Sequence, residues 1–321
     1  MFKLMKYFIK QTLVAFYVVG QTYRVQKQII KKNQIISKEN FEFDEDEFEA
    51  FIKSCFVENT QTYVSTVIDT FNQGCVDSCS HSRYKELGIK IDNIKILCLK
   101  NYSIFIGMYE LNQFQKEMKK FQVDYVFSPY LALIFNNKKV KNGIYILYTD
   151  SFVALLIYED ENKPKYSNLY KFEIDTTEDI ESEDEENIED IEDIESLEDI
   201  ESLEDIEDIE ELDNIEEDEE DIEEDSLEEL SEEPLEKSDI KEEIINFKNE
   251  IDTIDFIKNS IKDYYENYSD NFLEKGYLFY DGDISDKFIK NIQDEMFLDI
   301  QQEKIEILDM LNDLALKEIN V

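Results

Sequence analysis

Three side chains that could bind a metal ion lie close together in the chain: Cys75, Cys79 and His81. Thiolate and imidazole groups are the usual ligands of zinc, and a structural zinc site takes four ligands at recognised spacings. The chain has neither a Cys-x-x-Cys pair nor a fourth ligand at such a spacing. We therefore predict a polar loop with ordinary thiols and no bound metal. His81 is the only histidine and no serine motif flanks it, so we predict no histidine-dependent catalysis.

Three aspartates, Asp150, Asp281 and Asp283, would converge if distant parts of the chain fold together. Converging carboxylates can hold the divalent metal ions of a nuclease. In a chain with 78 acidic residues, however, scattered carboxylates are more commonly solvated turn residues. We therefore predict no two-metal nuclease and assign no catalytic residue.

The negative charge is concentrated between residues 172 and 236. This segment holds 38 of the 78 acidic residues and no Lys or Arg, so it carries most of the net charge of −45. Its core repeats one Ile or Leu followed by two mostly acidic residues. A period of three gives neither a helix nor a strand a common apolar face, and like charges repel at helical neighbours. We predict a disordered, extended insert.

Three roles for this acidic insert are compatible with its composition. It could be a solvated spacer, a site for a basic partner, or a weak multivalent Ca²⁺ binder without ordered loops. Nucleic-acid binding is not expected, because the chain has no basic stripe beyond Lys138, Lys139 and Lys141.

Alternating apolar patterns on both sides of the insert predict strands and helices. Strands are predicted at residues 13–19, 23–30, 35–43, 62–70, 94–100, 104–108, 125–127, 144–149, 153–158, 166–172 and 276–280. Helices are predicted at residues 44–55, 82–87, 111–121, 129–135, 238–268, 285–296 and 305–316. We expect a first lobe at residues 1–142 and a second lobe formed by residues 143–171 and 237–321, with the insert at 172–236 between its parts.

An apolar run at residues 12–20 follows several lysines. It is too short to span a bilayer and no small-residue cleavage site follows it, so we predict a buried strand. A signal anchor or a shallow interfacial segment is the alternative. The four cysteines are few and unevenly spaced, which suits a reducing compartment. We therefore expect a cytoplasmic protein.

Three segments resemble a known family of assembly proteins. Residues 95–135 predict a strand, a helix, a short strand and an Ala-Leu helix, residues 143–172 predict hairpins, and residues 256–292 predict a helix, a strand ending in a glycine turn, and a helix. This succession resembles the PilM family of type IV pilus assembly proteins and the related cytoplasmic domain of the GspL family in type II secretion. The resemblance implies an α/β (α+β) fold of two tandem RNase H-like, or actin-like, subdomains interrupted by the disordered acidic insert.

The resemblance also marks the positions that would contact a nucleotide. Nucleotide-binding members have Asp-x-Gly with Ser or Thr in the phosphate hairpins and a glycine-rich turn near the adenosine. The corresponding residues here are Gly20 and Thr22, then Thr149, Asp150 and Ser151, then Asp281, Gly282 and Asp283. The first turn lacks the aspartate, the second lacks glycine, and the third places two carboxylates where a polyanion would lie. We therefore expect a degenerate site with no cofactor and no ATPase activity.

The resemblance thus implies a non-enzymatic scaffold of a type IV pilus, type II secretion or DNA-uptake machine at the inner membrane. Its expected partners are proteins of the membrane platform and the motor ATPase, and any membrane association would be peripheral, through those partners. Two alternatives remain open. One is an acidic interaction protein whose insert binds a basic partner, and the other is an actin-like protein that binds ATP through an unrecognised site.

Overall fold

The computed structural model describes residues 10–32, 34–57, 61–136, 141–160, 163–172 and 237–320. The strands are β1 (Gln11–Val19), β2 (Thr22–Lys31), β3 (Gln34–Phe43), β4 (Gln61–Val67), β5 (Gln73–Val76), β6 (Ile94–Cys98), β7 (Ser103–Gly107), β8 (Tyr125–Phe127), β9 (Gly143–Tyr148), β10 (Phe152–Asp160), β11 (Lys163–Lys171), β12 (Lys275–Tyr280) and β13 (Asp299–Lys304). The α-helices are α1 (Glu45–Val57), α2 (His81–Glu86), α3 (Met108–Met118), α4 (Pro129–Asn136), α5 (Lys237–Asn267), α6 (Asp286–Met296) and α7 (Ile307–Asn320). The predicted disordered insert lies outside the described residues, apart from Phe172.

The first sheet has the strand order β3-β2-β1-β4-β8. Strands β1, β2 and β3 are antiparallel neighbours, whereas β4 runs parallel to β1 and β8 runs parallel to β4. Strand β1 is buried from Gln11 to Tyr17 because it lies at the centre of the sheet. This position confirms the predicted buried strand at residues 12–20.

Helix α1 covers one face of the first sheet. Phe48 and Ile52 are fully buried against Phe16 of β1, and the rings of Phe16 and Phe48 lie 4.7 Å apart. Three acidic residues occupy the first turn, where the positive end of the helix dipole stabilises their negative charge. The Asp44 carboxylate also accepts the backbone N–H of Glu47 at 2.8 Å. The acidic stretch after β3 therefore starts a helix, as predicted.

The second sheet repeats the same order, as β11-β10-β9-β12-β13. Strands β9, β10 and β11 are antiparallel neighbours, and β12 runs parallel to both β9 and β13. Helices α5 and α6 cover one face, where Ile257, Tyr264, Phe288 and Ile292 are buried. Two tandem sheets with the same strand order and the same directions confirm the predicted α/β, actin-like fold. None of the described helices is long and apolar enough to cross a membrane.

A small third sheet, with the order β5-β7-β6, lies in the chain between β4 and α3. Strand β5 was not predicted, because it has only four residues. The edge strand β13 was also missed, since Ile300 is its only buried residue and its sequence shows no alternation. The predicted strand at residues 62–70 ends at Val67. Phe172, which we assigned to the insert, is buried beside Tyr148, with ring centroids 5.9 Å apart.

One apolar core joins the two large sheets into a single compact unit. It contains Ala15 and Tyr17 of β1, Leu147 of β9, and the buried residues Leu311 and Leu314 of α7. Helix α4 contributes four further residues, Tyr130, Leu131, Ala132 and Leu133. Helix α7 therefore packs on β1.

Candidate functional site

The predicted nucleotide positions fall on three turns. Gly20 and Thr22 lie at the tip of the β1–β2 hairpin, Thr149, Asp150 and Ser151 form the β9–β10 turn, and Asp281, Gly282 and Asp283 follow β12. The structure brings the second and third turns together. Gly282 has a φ of 92°, and a Cβ at this residue would lie 3.0 Å from Oδ1 of Asp150. The glycine therefore permits the close approach of the Asp150 carboxylate.

Thr149 and Asp283 do not face a ligand position. Thr149 is fully buried, and its hydroxyl donates to the carbonyl oxygen of Phe152 at 3.0 Å, within its own turn. The side chain of Asp283 is 97% exposed and pairs with Nζ of Lys304 at 2.7 Å. Of the three aspartates whose convergence we considered, only Asp150 and Asp281 come together.

Four side chains form a cluster where the two sheets meet, which we call the cleft cluster: Tyr17, Arg24, Asp150 and Asp281. Tyr17 and Arg24 are opposite each other in the β1–β2 pair. The Arg24 guanidinium binds the Asp150 carboxylate and donates to the Tyr17 hydroxyl at 3.2 Å. The Tyr17 hydroxyl donates to Oδ2 of Asp281 at 3.2 Å. The cleft cluster therefore links the first sheet to both turns of the second.

Burial and like charge perturb the acid groups of the cleft cluster. The pKa of Asp281 is raised to about 6, chiefly by burial, with a further contribution from the negative charge of Asp150. The Tyr17 hydroxyl donates to the Asp281 carboxylate and partly offsets this effect. Burial, and then the charge of Asp281, raise the pKa of Tyr17 itself. The cleft cluster therefore resists additional negative charge.

A cleft of about 410 Å³ opens beside the cleft cluster. Tyr17, Arg24 and Asp281 line it together with Phe41 and two further acids, Glu42 and Glu306. Glu42 binds Nε of Arg24 at 3.2 Å, so this guanidinium is shared between two carboxylates.

A polar seam continues from the cleft between β2 and α7; it consists of Gln26, Gln28, Lys38, Glu306, Asp309 and Asn312. Nζ of Lys38 lies 2.6 Å from Glu306 and 2.7 Å from Asp309. The side-chain amide of Gln28 donates to Gln26 at 2.7 Å and to Asp309 at 3.0 Å, and Asn312 donates to Gln26 at 3.0 Å. These contacts connect β2 and β3 of the first sheet to α7 and to Glu306, which directly precedes it.

Arg24 and the polar seam were not predicted from the sequence. Arg24, Gln26 and Gln28 occupy alternate positions of β2, so they share one face of the strand, opposite Tyr23 and Val25. In the sequence this appears as long polar side chains at alternate positions of a strand whose other positions are apolar. Such a pattern predicts a polar interface on the face that carries the polar side chains.

Neutralising Asp281 is expected to stabilise the protein. Its pKa is higher in the folded chain than the ordinary 3.8, so the folded state binds the proton more tightly, and stability falls as pH rises from about 4 to about 6. Asp281→Asn keeps an acceptor for Tyr17 and should raise the free energy of unfolding by about 2 kcal/mol near pH 8, and by about half that near pH 5. Urea denaturation at both pH values measures this.

The control for this prediction is Asp283→Asn in the same turn. Its carboxyl is exposed and paired with Lys304, so no stabilisation is expected at either pH. Equal effects of Asp281→Asn at both pH values would show that the Asp281 carboxyl does not titrate as described.

The candidate metal ligands lie apart from the cleft. Cys75 is on β5, burial raises the pKa of its thiol, and its backbone N–H donates to Ser167 at 2.8 Å. Cys79 follows in the next loop, and His81 is exposed at the start of α2. Within the part of the chain that the structure describes, no group of three or more His, Cys, Asp or Glu residues is placed to hold a metal ion.

The repeated sheets and the cleft between them define a protein of actin-like fold. The chain belongs to the family described as Domain of unknown function (DUF8341), whose model matches residues 144–320. A second family model, Domain of unknown function (DUF8569), matches residues 8–134. Comparison with curated proteins gave no match.

Three solved structures have similar folds. A Bacteroides thetaiotaomicron protein with actin-like ATPase fold and unknown function is 10% identical, with a TM-score of 0.44, and the match covers 100% of this chain and 98% of that one. The PilM-PilN type IV pilus biogenesis complex is 7% identical, with a TM-score of 0.47, covering 93% and 89%. The ethanolamine utilization protein EutJ from Carboxydothermus hydrogenoformans is 8% identical, with a TM-score of 0.39, covering 94% and 86%. At these identities the likeness concerns the fold alone.

Proposed function

We propose that this chain is a non-enzymatic scaffold of actin-like fold in an inner-membrane machine of the type IV pilus, type II secretion or DNA-uptake kind. The cleft cluster is the observation that carries the non-enzymatic part. A nucleotide in this cleft would have to displace Arg24 from Asp150 and then place its phosphates beside Asp150 and Asp281. Removing the guanidinium would leave the two carboxylates without a cation. Nucleotide binding would then be opposed both by the loss of this ion pair and by repulsion between the phosphates and the two carboxylates.

The charge balance of the cleft supports the same conclusion. Arg24 of the cleft cluster and Lys38 of the polar seam are each already shared between two carboxylates: Arg24 contacts Asp150 and Glu42, and Lys38 contacts Glu306 and Asp309. No cationic side chain of the cleft cluster or polar seam is thus left over for a polyphosphate. A triphosphate would meet net negative charge, which repels it at short range.

The assembly role is supported by the sequence segments that resemble the PilM and GspL families. On this proposal the partners are proteins of a membrane platform and its motor ATPase, and the chain lies in the cytoplasm, peripheral to the inner membrane. The lobes at 1–142 and at 143–171 with 237–321 would present the binding surfaces. The acidic segment at 172–236 would serve as a spacer.

Calorimetry and thermal denaturation of the full chain test the non-enzymatic part. With MgATP or MgADP at about 1 mM we expect no heat of binding and no rise in Tm, because a ligand stabilises a protein only if it binds the folded state. Magnesium tripolyphosphate is the control for non-specific binding of polyanions. A rise in Tm with MgATP but not with tripolyphosphate would contradict the proposal and favour the ATP-binding alternative.

Affinity isolation of the tagged chain from its native host tests the assembly role. We expect inner-membrane components of a pilus, secretion or DNA-uptake machine to be enriched. A variant lacking residues 173–236 should retain them, because the proposed binding surfaces lie outside that segment. Enrichment of basic proteins that this deletion abolishes would instead support the acidic interaction protein.

A further inference from the structure

Cys79 and Cys98 lie at the same end of the small sheet. Cys98 is the last residue of β6 and pairs with Ser103 of β7, and Val76, the last residue of β5, pairs with the same Ser103 from the other side. Cys79 follows Val76 by three residues. The loop after β5 therefore returns to the sheet near the end of β6.

The thiol of Cys79 contacts the turn that joins β6 to β7. Its Sγ lies 3.8 Å from the carbonyl oxygen of Leu99 and 3.5 Å from that of Tyr102, and Leu99 directly follows Cys98. The neighbouring Cys98 side chain is the largest influence on the Cys79 thiol, and it raises the pKa of that thiol through a side-chain hydrogen bond. The Cys79 thiol therefore lies against the residue that follows Cys98, and a disulfide needs the two Cα atoms to come within about 7 Å of each other.

These two thiols are also the accessible ones. Cys98 is exposed and Cys79 is partly exposed. Cys55 lies on the buried face of α1, and Cys75, although partly exposed like Cys79, packs against the apolar core, where burial raises the pKa of its thiol. An oxidant in solution can therefore reach the adjacent pair while the other two thiols are protected.

We propose that Cys79 and Cys98 form a reversible disulfide when the chain meets a low-molecular-weight disulfide. The Cys98 thiolate attacks one sulfur of the oxidant, and the first small thiolate leaves. The Cys79 thiolate then attacks the Cys98 sulfur of this mixed disulfide, and the second small thiolate leaves. Two protein thiols are oxidised, one small disulfide is reduced to two thiols, and the released thiolates take up the two protons. An excess of small thiol reverses both steps.

The bond would restrain a defined part of the small subdomain. It closes a ring that contains α2, whose Tyr84 is buried and hydrogen-bonded to Ser103 at 2.6 Å. The same ring carries Arg83, which pairs with Asp77 at 2.8 Å on the wall of a cavity of about 200 Å³ beside β11. Oxidation would thus fix the loop and the helix that form this wall.

Treatment of the reduced full chain with excess oxidised glutathione tests the proposal. Before alkylation, the intact mass should be about 2 Da lower than that of the reduced chain, and after alkylation of the remaining thiols peptide mapping should identify a Cys79–Cys98 link. The thiols that react under denaturing conditions should fall from the four of the sequence to two. Because the bond restricts the unfolded chain, Tm should rise by roughly 5 °C and return after addition of dithiothreitol.

Two variants make the outcome specific. Cys98→Ser should abolish the cross-link and the rise in Tm, whereas Cys75→Ser should retain both. Stable glutathione adducts on Cys79 and Cys98 without a cross-link would overturn the proposal. So would a link to Cys75, a dimer joined through Cys98, or four thiols that remain unreacted with the oxidant.

Discussion

Arg24→Met is expected to lower the free energy of unfolding by about 3 kcal/mol near pH 8. The substitution keeps an apolar side chain of similar length but removes the cation that Asp150, Glu42 and Tyr17 contact. The carboxylates of Asp150 and Asp281 would then face each other without compensation. The side chains of Arg24 and Asp150 are only 30% and 20% exposed, so water screens little of this repulsion.

Urea denaturation measures the loss of stability, and a double-mutant cycle shows how much of it comes from the interaction of Arg24 with Asp150. Asp150→Asn in the Arg24→Met background should restore about half of the stability, because it removes one of the two facing charges. Lys304→Met is the matched control: it breaks the exposed pair with Asp283 and should cause no measurable change. An Arg24→Met protein as stable as the control would mean that the cleft cluster does not hold the two sheets together.

Gly143→Ala is expected to be equally damaging, with a loss of about 3 kcal/mol. Gly143 begins β9 with a φ of +145°, which L-residues rarely adopt. An added Cβ would lie 2.6 Å from the backbone carbonyl oxygen of Lys275 on the neighbouring strand β12. Because the obstacle is backbone, relief requires separating two central strands of the second sheet.

The control for this prediction is Gly88→Ala, measured in the same denaturation experiment. Gly88 also has a positive φ, of +73°, but no atom lies within 4 Å of its added Cβ. Strain alone should cost about 1 kcal/mol there. Similar losses at the two glycines would show that β12 yields to the added methyl group, and that only the backbone angle matters at Gly143.

Local sequence patterns were sufficient to predict most of the fold. Strands β1, β2 and β9 to β11 are buried on one or two faces, and their apolar runs or alternation between tight turns made them predictable. Strand β3 has no buried residue, and it was predicted because it follows the polar turn after β2. Strand β13 could not be predicted, because only its pairing with β12 and the burial of Ile300 make this segment a strand. Tertiary context, rather than local preference, makes this segment a strand.

The cleft could be predicted only in part. Asp150 and Asp281 stand out in the sequence because both follow strands at turns, and the structure brings them together. Arg24 is 126 residues from Asp150, and the register that places them in contact depends on how two separate sheets pack. A single sequence contains the polar row on β2 but not the partner that faces it.

The position of α7 has a consequence for how the protein is made. Helix α7 covers Leu13, Ala15 and Tyr17 of β1, yet about 290 residues separate that strand from the helix. At cellular rates of synthesis this interval is on the order of half a minute, during which the nascent first sheet exposes an apolar face. Chaperone capture of the nascent chain should therefore persist until residues 307–320 leave the ribosome, and a ribosome stalled before them should hold an aggregation-prone chain.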